Sequence, residues 1–384
     1  MNSEELKKII SQGETSKVQF KLCLDNKDSI ADEMIAMANS EGGIILFGIE
    51  DKSGDIIGLS YQDMQQIGNT IATLANDYIK PQIFVRTEAI AIDEKNVFIV
   101  NIDEGTAKPY KDKNGTIWVK QGSDKRKLTD NNEQIRLFQQ NGLLYADEMI
   151  VPNTGIDDIS DNAISEYLTK IGDEETLSDK ETIYKNINIL NNNRLTLGGL
   201  LFFGKNPQKY RPALCIKAVS FFGNDAAGTE YRDSEDIVGT IPYMFERGMS
   251  FFTRTLHHIQ KGQNFNSVGI LEISKIALEE LLQNALTHRD YSINAPINLF
   301  VFDNRIEIIS PGRLPNSLTI ENIKMGNAVV RNNLIVTFSS RMMKYRGIGT
   351  GIRRAIKEEP LTELINDTEC DRFIVRIPRP TENW

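Results

Sequence analysis

Apolar positions along the chain follow two periods, and the change from one to the other marks the elements. Over 28–40, Ile30, Met34, Ile35 and Ala38 fall on one face of a 3.6-residue repeat, which predicts a helix. The run GGIILFGIEDKSGDIIGL at 42–59 reads instead as a continuous apolar strand, a DKSG turn and a second extended piece. A helix near 3–11, an extended piece from Val18, a helix over 61–78 and strands near 83–91, 95–102 and 116–120 complete a mixed α/β unit over 1–140. Residues 141–205 read as mainly helical and polar. ALCIKAVSFFG at 213–223 is a buried strand, and a helix follows over 238–262. The last unit has a helix over 272–288, strands 296–302 and 305–310 joined by Asp303-Asn304, a helix over 332–344, and a glycine turn opening one more helix. The expected class is α+β: an α/β unit over 1–140, a helical linker plus strand region over 141–255, and a two-layer α/β sandwich over 256–384.

Composition narrows the function. No apolar run approaches the roughly 20 residues of a membrane span, and MNSEELKKII lacks a signal-peptide pattern. Cys23, Cys215 and Cys370 lie far apart, as neither a disulfide framework nor a zinc site would have them, so the cytoplasm is expected. A formal net charge of −9 argues against coating nucleic acid by bulk electrostatics. Any such site is therefore a local basic patch. One candidate is Lys108, Lys111, Lys113, Lys120, Lys125, Arg126 and Lys127. The other surrounds the glycine turn with Arg341, Lys344, Arg346, Arg353 and Arg354. A solvated basic face is the plain alternative for both.

The glycine turn, YRGIGTGIRRAIKEE at 345–359, places Gly347, Gly349 and Gly351 before a helix whose first amides can face an anion. A dinucleotide fingerprint needs a preceding strand, whereas TFSSRMMKYR reads as helix or loop. No G-x-x-x-x-G-K-[ST] string occurs, so no P-loop motor is expected. Close helix packing is the structural alternative. In ALEELLQNALTHRDYS at 277–292, Glu280, Asn284 and His288 recur every four residues on one helix face, while Leu278, Leu281, Leu282 and Ala285 supply the core face. A carboxylate one turn before an amide suits a water-activating base beside a Mg²⁺ ligand. An exposed polar stripe is its alternative.

Together these features resemble the GHKL ATPases, the superfamily of type II topoisomerases and histidine kinases. Glu280 and Asn284 match its helical Glu-x-x-x-Asn box, and Gly347, Gly349 and Gly351 its last glycine box. More closely, EELLQNALTHRDY, FDNRIEIISPGRLP, VVRNN and GIGTGI resemble a bacterial family labelled transcriptional regulators or RecG-helicase-like proteins. The resemblance implies ATP and Mg²⁺, with Glu280 as base, Asn284 on the metal, and His288, Gly312 and the three turn glycines around the nucleotide. Where the superfamily carries Asp-x-Gly-x-Gly for adenine, this chain reads Ser310-Pro311-Gly312-Arg313.

GETSKVQFK (13–21), ADEMIAMANSEGGIILFGIED (31–51) and IIGL (56–59) resemble the Schlafen AlbA-like domain, also called divergent AAA. Gly42-Gly43 suits its helix-to-strand turn, and Asn39-Ser40 can close the helix end. Schlafen relatives use three carboxylates here as a nuclease. Those positions fall on Glu14, Gln19, and Glu50 or Asp51, so one ligand is a neutral amide. LTLGGLLFFGKNPQKYRP at 195–212 also matches the regulator family. Longer members end in a winged helix, and none follows Trp384, so operator reading by such a module is not expected. Three functions are carried forward. The first is a transcriptional regulator binding nucleic acid, DNA ahead of RNA, and ATP/Mg²⁺ as a switch, with at most slow ATPase activity; the resemblance admits a homodimer. The second is a metal-dependent nuclease using Glu14 with Glu50 or Asp51. The third is a degenerate scaffold that binds no nucleotide.

Overall fold

The computed structural model describes residues 2–172, 180–260, 262, 264, 266, 268–315, 318–343, 347 and 349–380. The chain is an α+β protein of two compact units, Met1–Leu143 and Leu144–Trp384. Among the described residues, no helix is long and apolar enough to cross a membrane.

The first unit runs α1 (Ser3–Ser11), β1 (Val18–Lys21), α2 (Lys27–Asn39), β2 (Gly43–Phe47), α3 (Tyr61–Thr73), β3 (Val85–Ile92), β4 (Lys95–Ile102), β5 (Trp118–Gln121), β6 (Asp124–Lys127) and α4 (Asn131–Gln140). Asn2 and Glu5 form a capping box that starts α1. The main sheet has the order β1-β2-β4-β3, with β1 and β2 parallel. Its core explains why β2 reads as an unbroken apolar run. Ile45 and Phe47 pack with Met34 and Ile35 of α2, while Leu46 faces the other way, toward Leu6 and Phe20. Both faces are covered, so alternation disappears.

The second unit continues with α5 (Asp161–Ile171), α6 (Lys180–Asn186), β7 (Leu190–Asn191), β8 (Arg194–Leu195), α7 (Leu197–Phe203), β9 (Ile216–Phe221), β10 (Tyr231–Ile237), α8 (Ile241–Thr255), β11 (His258–Ile259) and β12 (Ile270–Leu271). It then forms α9 (Lys275–His288), β13 (Ile297–Val301), β14 (Arg305–Pro311), α10 (Ile320–Met325), α11 (Asn333–Met342), α12 (Gly351–Glu358), β15 (Glu363–Asp367) and β16 (Arg372–Pro378). Its six-stranded sheet has the order β10-β9-β13-β14-β16-β15. The helix α8 packs on β9, α9 on β14, and α12 on α9.

Two expectations change here. The border near 255 runs through a single sheet, because β9 pairs in parallel with β13 from Ile216↔Ile297 onward. The region 141–205 is also less polar than its composition suggests. Leu195, Leu200, Leu201, Phe202 and Phe203 are buried in the same core as α9. That core fixes the end of α9 that carries the candidate chemistry.

Candidate functional site

The apolar side of α9 buries Leu278, Leu281 and Leu282, as its register predicts. Glu280, Asn284 and His288 are thereby turned to a cavity of about 130 Å³. It is lined by Ile308, Leu314, Val329, Ile352, Phe373 and Val375, together with Gly312, Arg331, Gly347, Gly349, Gly351 and Arg354. Thus the helix face and the glycine turn, far apart in sequence, line one pocket. Lys344 and Arg346 lie outside the described residues.

The glycines have packing reasons for being glycine. Gly349 has φ +70°, and a Cβ on it would sit 2.1 Å from the Gly326 carbonyl oxygen. A Cβ on Gly351 would sit 2.5 Å from Glu280 Oε2 and 3.0 Å from Asn284 Nδ2. Gly312, at φ +94°, is crowded in the same way by Asp290 and Arg331.

The polar groups are engaged. Arg354 donates from Nε to Glu280 Oε1 at 2.8 Å, from Nη2 to the same oxygen at 2.5 Å, and from Nη1 to Thr350 Oγ1 at 2.8 Å. Asn284 Nδ2 donates to the Glu280 carbonyl at 2.6 Å, so Oδ1 is the one side-chain atom of Asn284 that could serve a cation. Burial, with the Arg331 charge second, holds the His288 imidazole down to about 4, so it is neutral at pH 7. Arg331 donates to the Arg313 carbonyl at 2.6 Å. Asn332 ties the end of α9 to α11, donating to the carbonyls of Thr287 and Arg289 at 2.9 Å each. A nucleotide-borne Mg²⁺ needs only one or two protein oxygens, so Asn284 Oδ1 beside Glu280 fits that role.

The basic segment of the first unit is placed differently from a free patch. Lys120 lies within the fold: its Nζ meets Glu33 Oε1 at 2.7 Å, with side chains only 2% and 6% exposed. Lys125 bonds Ser29 and stands 3.5 Å from Glu33. Lys108 is buried on Glu104 and the Ser40 carbonyl, both at 2.7 Å. Arg126 makes a two-pronged pair with Glu133. Lys113 pairs with Asp28 but stays exposed, Lys127 lies over the Trp118 ring, and Lys111 over Phe138. The partner Glu33 is the residue that sequence reasoning missed. Its only signal is a carboxylate inside an apolar helix repeat.

Ser40 closes α2 as expected, its amide donating to the Ala36 and Met37 carbonyls, while the Asn39 and Ser40 side chains reach beyond the helix. Asn39 donates to the carbonyls of Tyr110 and Trp118 and accepts from the Tyr110 amide at 2.7 Å. Ser40 Oγ accepts from Lys120 N at 3.0 Å. Glu14 accepts from the Phe20 amide at 2.7 Å and from the Gln19 side chain. Asp51 pairs with Lys21 at 2.6 Å, and the Glu50 amide bonds the Asp55 carbonyl. Among the described residues, no three His, Cys, Asp or Glu side chains converge on a metal position.

Three family models each match a part of the chain. Residues 14–129 match the family described as "Schlafen, AlbA_2", and 294–370 match "Putative ATP-dependent DNA helicase recG C-terminal". Residues 136–216 match a domain of unknown function. A Schlafen AlbA_2 domain and a RecG C-terminal-like domain of ATPase type are therefore present. Among solved structures, the DIP2311 protein of Corynebacterium diphtheriae is similar at 18% identity and TM-score 0.46, over 98% of this chain and 69% of that one. The N-terminal domain of a RecG-related protein of Nitrosomonas europaea matches at 20% identity and TM-score 0.26, over 34% of this chain and 96% of that one. No curated protein matches the chain.

Proposed function

We propose that the chain is a cytoplasmic transcriptional regulator that binds nucleic acid, DNA ahead of RNA, and whose second unit binds ATP with Mg²⁺ as a switch. The observation that carries this reading is the single cavity lined by Glu280, Asn284 and His288 from α9 and by Gly347, Gly349 and Gly351 from the turn. Asn284 Oδ1 would hold Mg²⁺, the apolar walls would take the base, and the turn amides would face phosphate. Mg²⁺ would draw phosphate charge toward one oxygen and leave Glu280 to orient water. In this arrangement Glu280 is held by Arg354, which suits binding with at most slow turnover. A homodimer is compatible with this reading and not required by it.

Titration calorimetry with ATP and ADP in the presence of Mg²⁺ tests the proposal. Saturable heat with ATP is expected; none at millimolar nucleotide would leave the scaffold reading in its place.

A further inference from the structure

We propose that Arg354 reads the terminal phosphate of the nucleotide, so that the site selects a nucleoside triphosphate over a diphosphate. Its ion pair with Glu280 is the waiting state that a triphosphate breaks. This inference rests on the nucleotide reading of the cavity and adds a residue and a discrimination to it.

The geometry is that of a guanidinium held by a second-best partner. Both Nε and Nη2 of Arg354 point at one oxygen, Glu280 Oε1. A guanidinium fork is best matched by two oxygens in parallel, which phosphate offers and this pairing does not. The other oxygen, Oε2, lies against the Gly351 backbone, where a Cβ would come within 2.5 Å of it. Arg354 is 43% exposed and Glu280 19%, so the cation sits at the cavity mouth within reach of a ligand. Thr350 Oγ1, which accepts from Nη1 at 2.8 Å, belongs to the glycine turn itself. A terminal phosphate carries more charge than a carboxylate, so exchange of partners favours the ligand. Freed of Arg354, Glu280 would face the cavity beside Asn284. The plain alternative is that the pair only ties α12 to α9, and the two ideas differ in whether the preference for ATP moves.

Calorimetry on the full chain with Mg²⁺-ATP and Mg²⁺-ADP separates them, using wild type, Glu280→Gln, Arg354→Gln and Arg354→Lys. Wild type should prefer ATP. Glu280→Gln, which weakens the hold on Arg354, should widen the preference for ATP over ADP by about threefold. Arg354→Gln should lose roughly tenfold in ATP affinity and with it the preference for ATP, and Arg354→Lys should keep part of that preference. A merely structural tie predicts that Glu280→Gln and Arg354→Gln weaken both nucleotides together, with matching drops in melting temperature. That result, or an ATP preference surviving in Arg354→Gln, overturns the proposal while the nucleotide reading stands. Failure of wild type and all variants to bind either nucleotide overturns both.

Discussion

Asp147 is fully buried, with Oδ2 accepting from the Ile335 amide at 2.9 Å near the start of α11. Burial pushes its carboxyl up to about 6 from 3.8, whereas burial holds His288 down to about 4 from 6.5. The two act with opposite sign. Because Asp147 takes up a proton more readily when folded, its contribution is present below about 4 and lost as pH rises through about 6. Because His288 resists a proton when folded, its contribution is present above 6.5 and lost as pH falls through about 4. Each displacement is worth on the order of 3 kcal/mol, so between pH 6 and 4 they offset one another. Asp147→Asn keeps an acceptor for Ile335 and removes the titration. The variant should be more stable than wild type at pH 7.5, an advantage that shrinks by about 2 kcal/mol by pH 4.5. Urea unfolding at both pH values measures this, and a constant difference would show that Asp147 titrates as an ordinary carboxylate.

Among the elements, α9 was legible because its apolar register and its polar stripe occupy separate faces. The glycine turn was legible as a string, and its packing onto α9 was not. Glu280 and Arg354 are 74 residues apart, and nothing in a helix repeat states which distant cation a carboxylate will meet. The pairing of β9 with β13 was hidden for the same reason, since each strand reads alike whichever neighbour it joins. The steric demand on the turn can be measured directly. Gly349→Ala should distort the turn, lowering stability by about 1–3 kcal/mol and weakening nucleotide binding, since the residue holds φ +70° and its Cβ would meet the backbone carbonyl oxygen of Gly326 at 2.1 Å. Gly155→Ala is the matched control, with no atom within 4 Å of the added Cβ and a change of under ~0.5 kcal/mol expected. Equal melting temperatures for both variants would mean that the turn accommodates a side chain.

At the scale of the whole molecule, the charge balance was informative and the basic segment was not. A net charge of −9 limits any nucleic-acid surface to a few cations, yet the string from Lys108 to Lys127 does not say which of its charges face water. Lys108 and Lys120 point inward, and Lys125 and Arg126 are tied to Glu33 and Glu133. What remains for phosphate from that segment is Lys111 and Lys127, with Lys113 as a third where phosphate displaces Asp28. Each phosphate contact contributes about −0.9 to the slope of log K against log salt, so a slope between about −2 and −3 is expected for duplex DNA. Lys127→Gln should make that slope shallower by about 1 and weaken binding to all sequences alike. Lys120→Gln should instead act on folding, because it removes the buried partner of Glu33 and leaves it only Lys125 at 3.5 Å, a loss of about 1–3 kcal/mol. Fluorescence anisotropy across a salt series, beside thermal melts of both variants, separates the two roles. A slope as steep as about −6 in wild type would place the nucleic-acid surface elsewhere on the chain.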